Sequence, residues 1–252
     1  MQILITAGGT KERIDEVRYI ANHSTGRLGS IIAEAFANQP DTQVTYIHGA
    51  GAIIPSHPSI KAVPIFTSQD LETAIREELT HQPYDVVIHS MAVSDYTMDN
   101  AFSQEELLAE LNKQLFATNE FINQETFQQT FTKLLATIGK ENEDKKLSSS
   151  NEHLILRLKK TPKIIHLIKT LQPKTKLVGF KLLVDVPEEH LLTIAQQLLA
   201  KNDCDFVLAN DLTSIEGDRH TGYLIDTDGK TKKAHTKQAI AEMIIESVTK
   251  KL

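Results

Sequence analysis

The chain has 252 residues, 40% of them hydrophobic and 24% charged, with a formal net charge of −6. This balance excludes a disordered chain and supplies apolar material for one large domain or two small ones. The negative charge argues against nonspecific binding to nucleic acid, which demands a basic surface, and a single cysteine, Cys204, excludes an internal disulfide or a cysteine-paired metal.

Residues 1–10, MQILITAGGT, open directly on a strand-like apolar run, with neither the basic leader nor the long apolar core of a signal peptide. No later stretch approaches the roughly 20 apolar residues needed to span a bilayer. The expectation is a cytoplasmic protein without membrane contact. In chain order, apolar, β-branched runs at 3–6, 44–48, 86–90, 177–181 and 206–210 have the length of buried parallel strands. Helical spacing lies between them at 30–38, 69–80 and 190–201. The alternation implies βαβ units with right-handed crossovers, hence an α/β, Rossmann-like, doubly wound and mostly parallel sheet in a single domain, 1–252.

Residues 99–146 break the pattern. They are polar and strand-poor, with amphipathic stretches around 105–115 and 126–138, and read as an inserted helical excursion. Near the C-terminus, 222–234 alternates and carries Asp228-Gly229, which suits a tight hairpin turn. The last helix, about 236–248, sets Ile240, Ile244, Ile245 and Val248 on one face.

Three segments could carry chemistry. Gly8 and Gly9 follow the first strand in Thr6-Ala7-Gly8-Gly9-Thr10, where glycines let backbone amides approach a phosphate or sugar, or serve only a tight turn. Asn22-His23-Ser24-Thr25-Gly26-Arg27-Leu28-Gly29 opens a helical pattern. Its hydroxyls and glycines at a helix N-terminus make an anion site, or an ordinary N-cap. Ala92 and Asp95 lie just beyond the third strand, where open α/β sheets bind ligands; Asp95 could take a donor from substrate or cap a turn. Lysines at 146, 160, 181 and 201 would supply cations for a polyphosphate as a set, though each alone reads as solvated.

The ten histidines include no pair three or four apart on a helix, so no zinc site is assigned. Gly8 and Gly9 are adjacent and no GxGxxG follows the first strand; the second strand runs into Gly49 without the acidic residue that holds an NAD ribose. Hydride transfer is disfavoured. An NAD(P)-dependent reductase or epimerase and a non-catalytic nucleotide-binding protein stay open as alternatives on this fold.

Taken in chain order, ITAGGTKERID, VRYIANHSTGRLG, MAVSDY, KLSS, KKTPKI, VGFKL and LANDL resemble the phosphopantothenate-cysteine ligases of coenzyme A biosynthesis, in their stand-alone form. VRYIANHSTGRLG is the most specific piece. The resemblance implies coupling of 4′-phosphopantothenate to cysteine through an acyl-nucleotide, with CTP, or ATP in some relatives, and with magnesium held largely by the triphosphate. By resemblance, Gly8, Gly9, Ser24, Gly26 and Gly29 cradle the nucleotide, and Phe180, Asn210 and Lys201 complete its site. Asn22 contacts the pantothenoyl group and the reacting carbonyl, Lys146 stabilises the activated intermediate, and Ala92 and Asp95 line the phosphopantothenate site. Arg18 crosses a homodimer interface to the substrate phosphate. Two departures are Met91, where relatives commonly carry alanine, and the length of the 99–146 excursion.

Overall fold

The computed structural model describes residues 1–116, 123–139 and 152–250. Its contacts group the chain into two compact units, the first comprising 1–11, 21–94 and 162–252 and the second 12–20 and 95–161.

In the first unit, β1 (Gln2–Ala7) leads to α1 (Arg27–Ala37); the short strands β2 (Lys11–Arg13) and β3 (Tyr19–Ala21), which lie between them in sequence and mostly within the second unit, pair with each other. β4 (Gln43–Gly49), β5 (Lys61–Ile65), α2 (Ser68–His81) and β6 (Val86–His89) follow. After the second unit the chain resumes with α5 (Ile164–Leu171), β9 (Lys176–Leu183), α6 (Glu188–Lys201), β10 (Phe206–Glu216), β11 (Arg219–Asp226), β12 (Thr231–Thr236) and α7 (Lys237–Thr249). These strands make one sheet in the order β12-β11-β10-β9-β6-β1-β4-β5. The six from β10 to β5 are parallel, while β11 and β12 add antiparallel pairs.

The chain winds outward from β1 through β4 to β5, then crosses back to β6 and winds outward through β9 and β10. That is the Rossmann strand order, and it puts the topological switch point between β1 and β6, where ligands sit in such sheets.

Burial explains why the parallel strands read as unbroken apolar runs. Ile3 and Ile5 join Phe36, Val178, Leu208, Ile240 and Ile244 beneath α1 and α7. Leu4 joins Ile47, Leu71, Val87, Leu177 and Leu191 beneath α2, α5 and α6. A strand covered on both faces has no polar side to alternate with. β5 escaped sequence reading because it is a half-polar edge strand, KAVPI, and edge position tolerates its Pro64.

The second unit holds β7 (Tyr96–Ser103), α3 (Gln104–Phe116), α4 (Gln124–Thr137) and β8 (Leu154–Lys160). β7 and β8 pair antiparallel. Phe102, Leu134 and Ile138 form its small core, with Leu107, Leu111 and Ile155 packed around it. Both expected helices are present. The strand-poor reading of this stretch is corrected at its start, because β7 runs through 99–103; the half-polar YTMDNAFS carries neither an apolar run nor clean alternation. The C-terminal hairpin forms between β11 and β12, with Gly229 at φ 77° in its turn.

Candidate functional site

The switch point is closed by backbone. β1 turns out of the sheet at Gly8, whose φ of 83° is left-handed, and a Cβ there would lie 2.6 Å from that of Ala52. A Cβ on Gly9 would lie 2.7 Å from the carbonyl oxygen of Asn22. The loop is stitched to the chain leaving β6: Ala92 N–H donates to Gly8 O at 2.8 Å and Thr10 N–H to Ala92 O at 3.2 Å. Ser94 N–H donates to Thr10 Oγ1 at 2.9 Å. The exposed Asn22 side chain donates to Val93 O at 3.2 Å, which fixes its amide beside Ala92.

α1 starts against this loop. Its N-cap, Gly26, sits at φ 69° without a side-chain cap, and a Cβ on Gly26 would meet Gly8 N at 3.1 Å. By contrast, α2 is closed by a capping box between Thr67 and Asp70. A Cβ on Gly29 would lie 2.4 Å from that of Ala7 and 2.9 Å from Ser90 Oγ, so only glycine lets α1 pack this closely on β1. Arg27 N–H, the first amide of α1, donates to Thr25 Oγ1 at 3.4 Å, and the N-cap residue itself supplies no side-chain acceptor, so the positive end of the α1 dipole lies next to glycines that expose more backbone. Ser24 is half-buried in the segment between Asn22 and Gly26.

His89, which sequence reasoning passed over, ends β6 opposite Thr6 and shares a 2.8 Å hydrogen bond with its hydroxyl. Burial pushes the imidazole down to about 4, so it stays neutral and braces the strand ends beneath the loop. Ser90 Oγ donates to Thr6 O at 2.7 Å. An isolated His at a strand end, HSMA, gave no pattern from which this could be read.

Phe180 on β9 packs on the α1/α7 face. Asn210, two residues past Leu208 on β10 and 6% exposed, shares that face by strand alternation. The structure thus brings Gly8, Gly9, Asn22, Ser24, Gly26, Gly29 and Ala92 together and sets Phe180 and Asn210 toward the carboxyl end of the same face. Lys201 is not among them. It is the last residue of the 14-residue α6, which runs back from β9 toward the start of β10, so it stands about 20 Å along the helix from the carboxyl edge. Motif order suggested Lys201 for the nucleotide, and helix direction takes it to the other end of the sheet.

Arg18 and Asp95 belong to the second unit. There Arg18 Nε and Nη2 donate to Asp15 Oδ2 at 2.9 and 2.5 Å, and Asp15 Oδ1 accepts from the amides of Val17 and Arg18. Asp95 is exposed, and its carbonyl accepts from Thr161 N–H at 3.0 Å. Lys146 lies outside the described residues. Among those described, no group of three His, Cys, Asp or Glu could hold a metal ion, and no helix is long and apolar enough to cross a membrane.

The fold and the switch-point loop define a doubly wound α/β protein of the Rossmann-like class. The chain belongs to the DNA/pantothenate metabolism flavoprotein C-terminal domain family, whose model matches residues 1–124 and 138–252. It is 30% identical, over its whole length, to 51% of the coenzyme A biosynthesis bifunctional protein CoaBC of Thermococcus kodakarensis. The chain thus spans about half the length of such curated relatives. A DNA/pantothenate metabolism flavoprotein crystal structure from Streptococcus pneumoniae is 40% identical with a TM-score of 0.80, each chain fully covered. A Cab2 variant in complex with phosphopantothenate-cysteine shares the fold at a TM-score of 0.67 and 18% identity, over 99% of this chain and 85% of that one.

Proposed function

We propose that this chain is a phosphopantothenate-cysteine ligase that activates 4′-phosphopantothenate with a nucleoside triphosphate, CTP first and ATP second. The observation that carries this reading is the switch-point cradle, where Gly8, Gly9 and the glycine-capped start of α1 offer backbone to a polyphosphate, with the Asn22 amide held beside Ala92. Family membership supports it.

In the first step a carboxylate oxygen of phosphopantothenate bonds to the α-phosphorus, and the bond to the bridging oxygen breaks, releasing pyrophosphate. In the second, the cysteine amine attacks the acyl carbon, loses a proton, and expels the nucleoside monophosphate. No protein nucleophile is required; positioning and charge stabilisation supply the rate. The start of α1 and the glycine loop offset the phosphates. Asn22 donates to the reacting carbonyl as negative charge develops there. Phe180 and Asn210 flank the nucleoside. Ala92 and Asp95 line the phosphopantothenate site, and Arg18 reaches the substrate phosphate of a second copy in a homodimer, where a guanidinium fork suits a phosphate. Lys146 neutralises the activated intermediate. Magnesium, carried by the triphosphate rather than by a protein metal site, would supply Lewis-acid polarisation. The reaction is cytoplasmic.

Pyrophosphate release tests the reading. It should require phosphopantothenate, cysteine and nucleotide together, and be faster with CTP than with ATP. Asn22→Ala should slow conversion of the acyl-nucleotide while leaving nucleotide binding intact. A change in NAD(P)H absorbance, or nucleotide binding without turnover, would sink the proposal.

A further inference from the structure

Both α1 and α7 begin at the carboxyl edge of the sheet. α1 follows β1, and α7 follows β12, which runs parallel to β10 because two antiparallel pairings intervene. The two helices pack side by side. Around their first turns stand Arg27, the first residue of α1, Lys237, the first residue of α7, and His220 on β11. Lys237 is 8% exposed, and its ammonium donates to Gly217 O at 2.7 Å. No carboxylate among the described residues lies within ion-pair distance of it. Burial, and then the charge of Arg27, hold its pKa below the ordinary lysine range. Among the described residues the Arg27 guanidinium pairs with Asp218, at 3.0 Å, and that carboxylate is 89% exposed.

His220 is the second, independent observation. It is 4% exposed, yet neither ring nitrogen has a hydrogen-bond partner among the described residues. It shares a strand face with Gly222 and Leu224, which pack on α7, and so faces the start of that helix. Buried polar nitrogens without partners call for an explanation such as an ion or water. Two cations, an imidazole donor and the N-terminus of α1 against one solvated carboxylate leave a local excess of positive potential, while at the start of α7 the Ala239 N–H already donates to Thr236 Oγ1 at 3.1 Å.

We propose that Arg27, Lys237 and His220, beside the first turn of α1, form an anion subsite for a phosphate-class oxyanion that adjoins the glycine cradle. The oxyanion is either free phosphate or pyrophosphate, or the terminal phosphates of a nucleotide. Arg27 supplies a guanidinium fork, Lys237 a point charge, and His220 one N–H donor.

The test follows the ¹⁵N shifts of the His220 ring nitrogens in the full chain, assigned with His220→Asn, as inorganic phosphate, pyrophosphate and a nucleoside triphosphate are titrated. A shift with phosphate or pyrophosphate identifies a free-anion site. A shift only with the nucleoside triphosphate identifies its terminal phosphates. Lys237→Met, which keeps the buried stem, should weaken the responding probe at least tenfold. Nitrogens that do not move with any probe, or unchanged affinity in Lys237→Met, overturn the subsite. Pyrophosphate release measured in parallel keeps the ligase reading separate: turnover with unmoved nitrogens removes only the subsite, and moved nitrogens without turnover remove only the ligase.

Discussion

The two units solve the problem of stability differently. The sheet unit buries two large apolar layers, with Ile3, Ile5 and Phe36 in one and Leu4, Val87 and Leu177 in the other, all at 0% exposure. The second unit has a buried core of Phe102, Leu134 and Ile138 and leaves Leu108, Phe127 and Leu158 exposed. Stability scales with apolar area removed from water. The sheet unit can therefore hold a backbone loop at Gly8 in a left-handed conformation, and the second unit has little to spare.

The largest effect that would sharpen this contrast is Phe36→Ala. It should cost about 3–5 kcal/mol, read as a lower urea midpoint with the slope unchanged. Leu134→Ala should cost about 2 kcal/mol and act locally. Hydrogen exchange should quicken in α3, α4, β7 and β8 while β1, β6 and β9 keep their protection. Equal loss of protection in the central strands would break the distinction between the units.

The next effect depends on pH and comes from His89. Its folded pKa, about 4, lies below the ordinary histidine value of 6.5 because burial penalises the cation. As pH falls below 6.5, the unfolded chain takes up a proton that the folded chain refuses until about 4. Stability is full above 6.5 and is lost on acidification across that window, by about 2 kcal/mol at pH 5. His89→Asn, whose amide can still meet Thr6, should flatten the fall in Tm between pH 7 and 5 relative to the parent. An identical fall would show that His89 does not contribute it.

The sheet unit was the more legible of the two in sequence because its elements are determined locally. A strand covered on both sides must be apolar throughout, and runs such as VVIH and KLVGF have no other reading between helical segments. In the second unit, β7 and β8 draw their order from pairing with each other across more than fifty residues, which no short window reveals. The glycines of the cradle were legible as glycines; that Gly9 faces the Asn22 carbonyl and Gly26 faces Gly8 is a tertiary fact. Motif order suggested Lys201 for the nucleotide, but its place at the end of α6 follows from helix direction, which no short motif shows. His220 and Lys237 gave no signal, because a buried pair on two different elements leaves no spacing to find.

The smaller effects compare two left-handed glycines at φ 83° and 77°. At Gly8 a methyl group meets Ala52 at 2.6 Å, so Gly8→Ala must move the loop as well as strain it. Nucleotide affinity should fall at least tenfold, about 1.4 kcal/mol, with a modest loss of Tm. At Gly229 nothing lies within 4 Å of an added Cβ, leaving only the cost of placing an L-residue in the left-handed region. Gly229→Ala should therefore cost about 1 kcal/mol, a Tm shift of about 2–4 °C, without touching nucleotide affinity. Gly229→Asn should recover part of it, because asparagine tolerates that region. If Gly229→Ala lowered nucleotide affinity as much as Gly8→Ala, loss of affinity would be a general response to backbone strain, and the case for a cradle at Gly8 would lose its specificity.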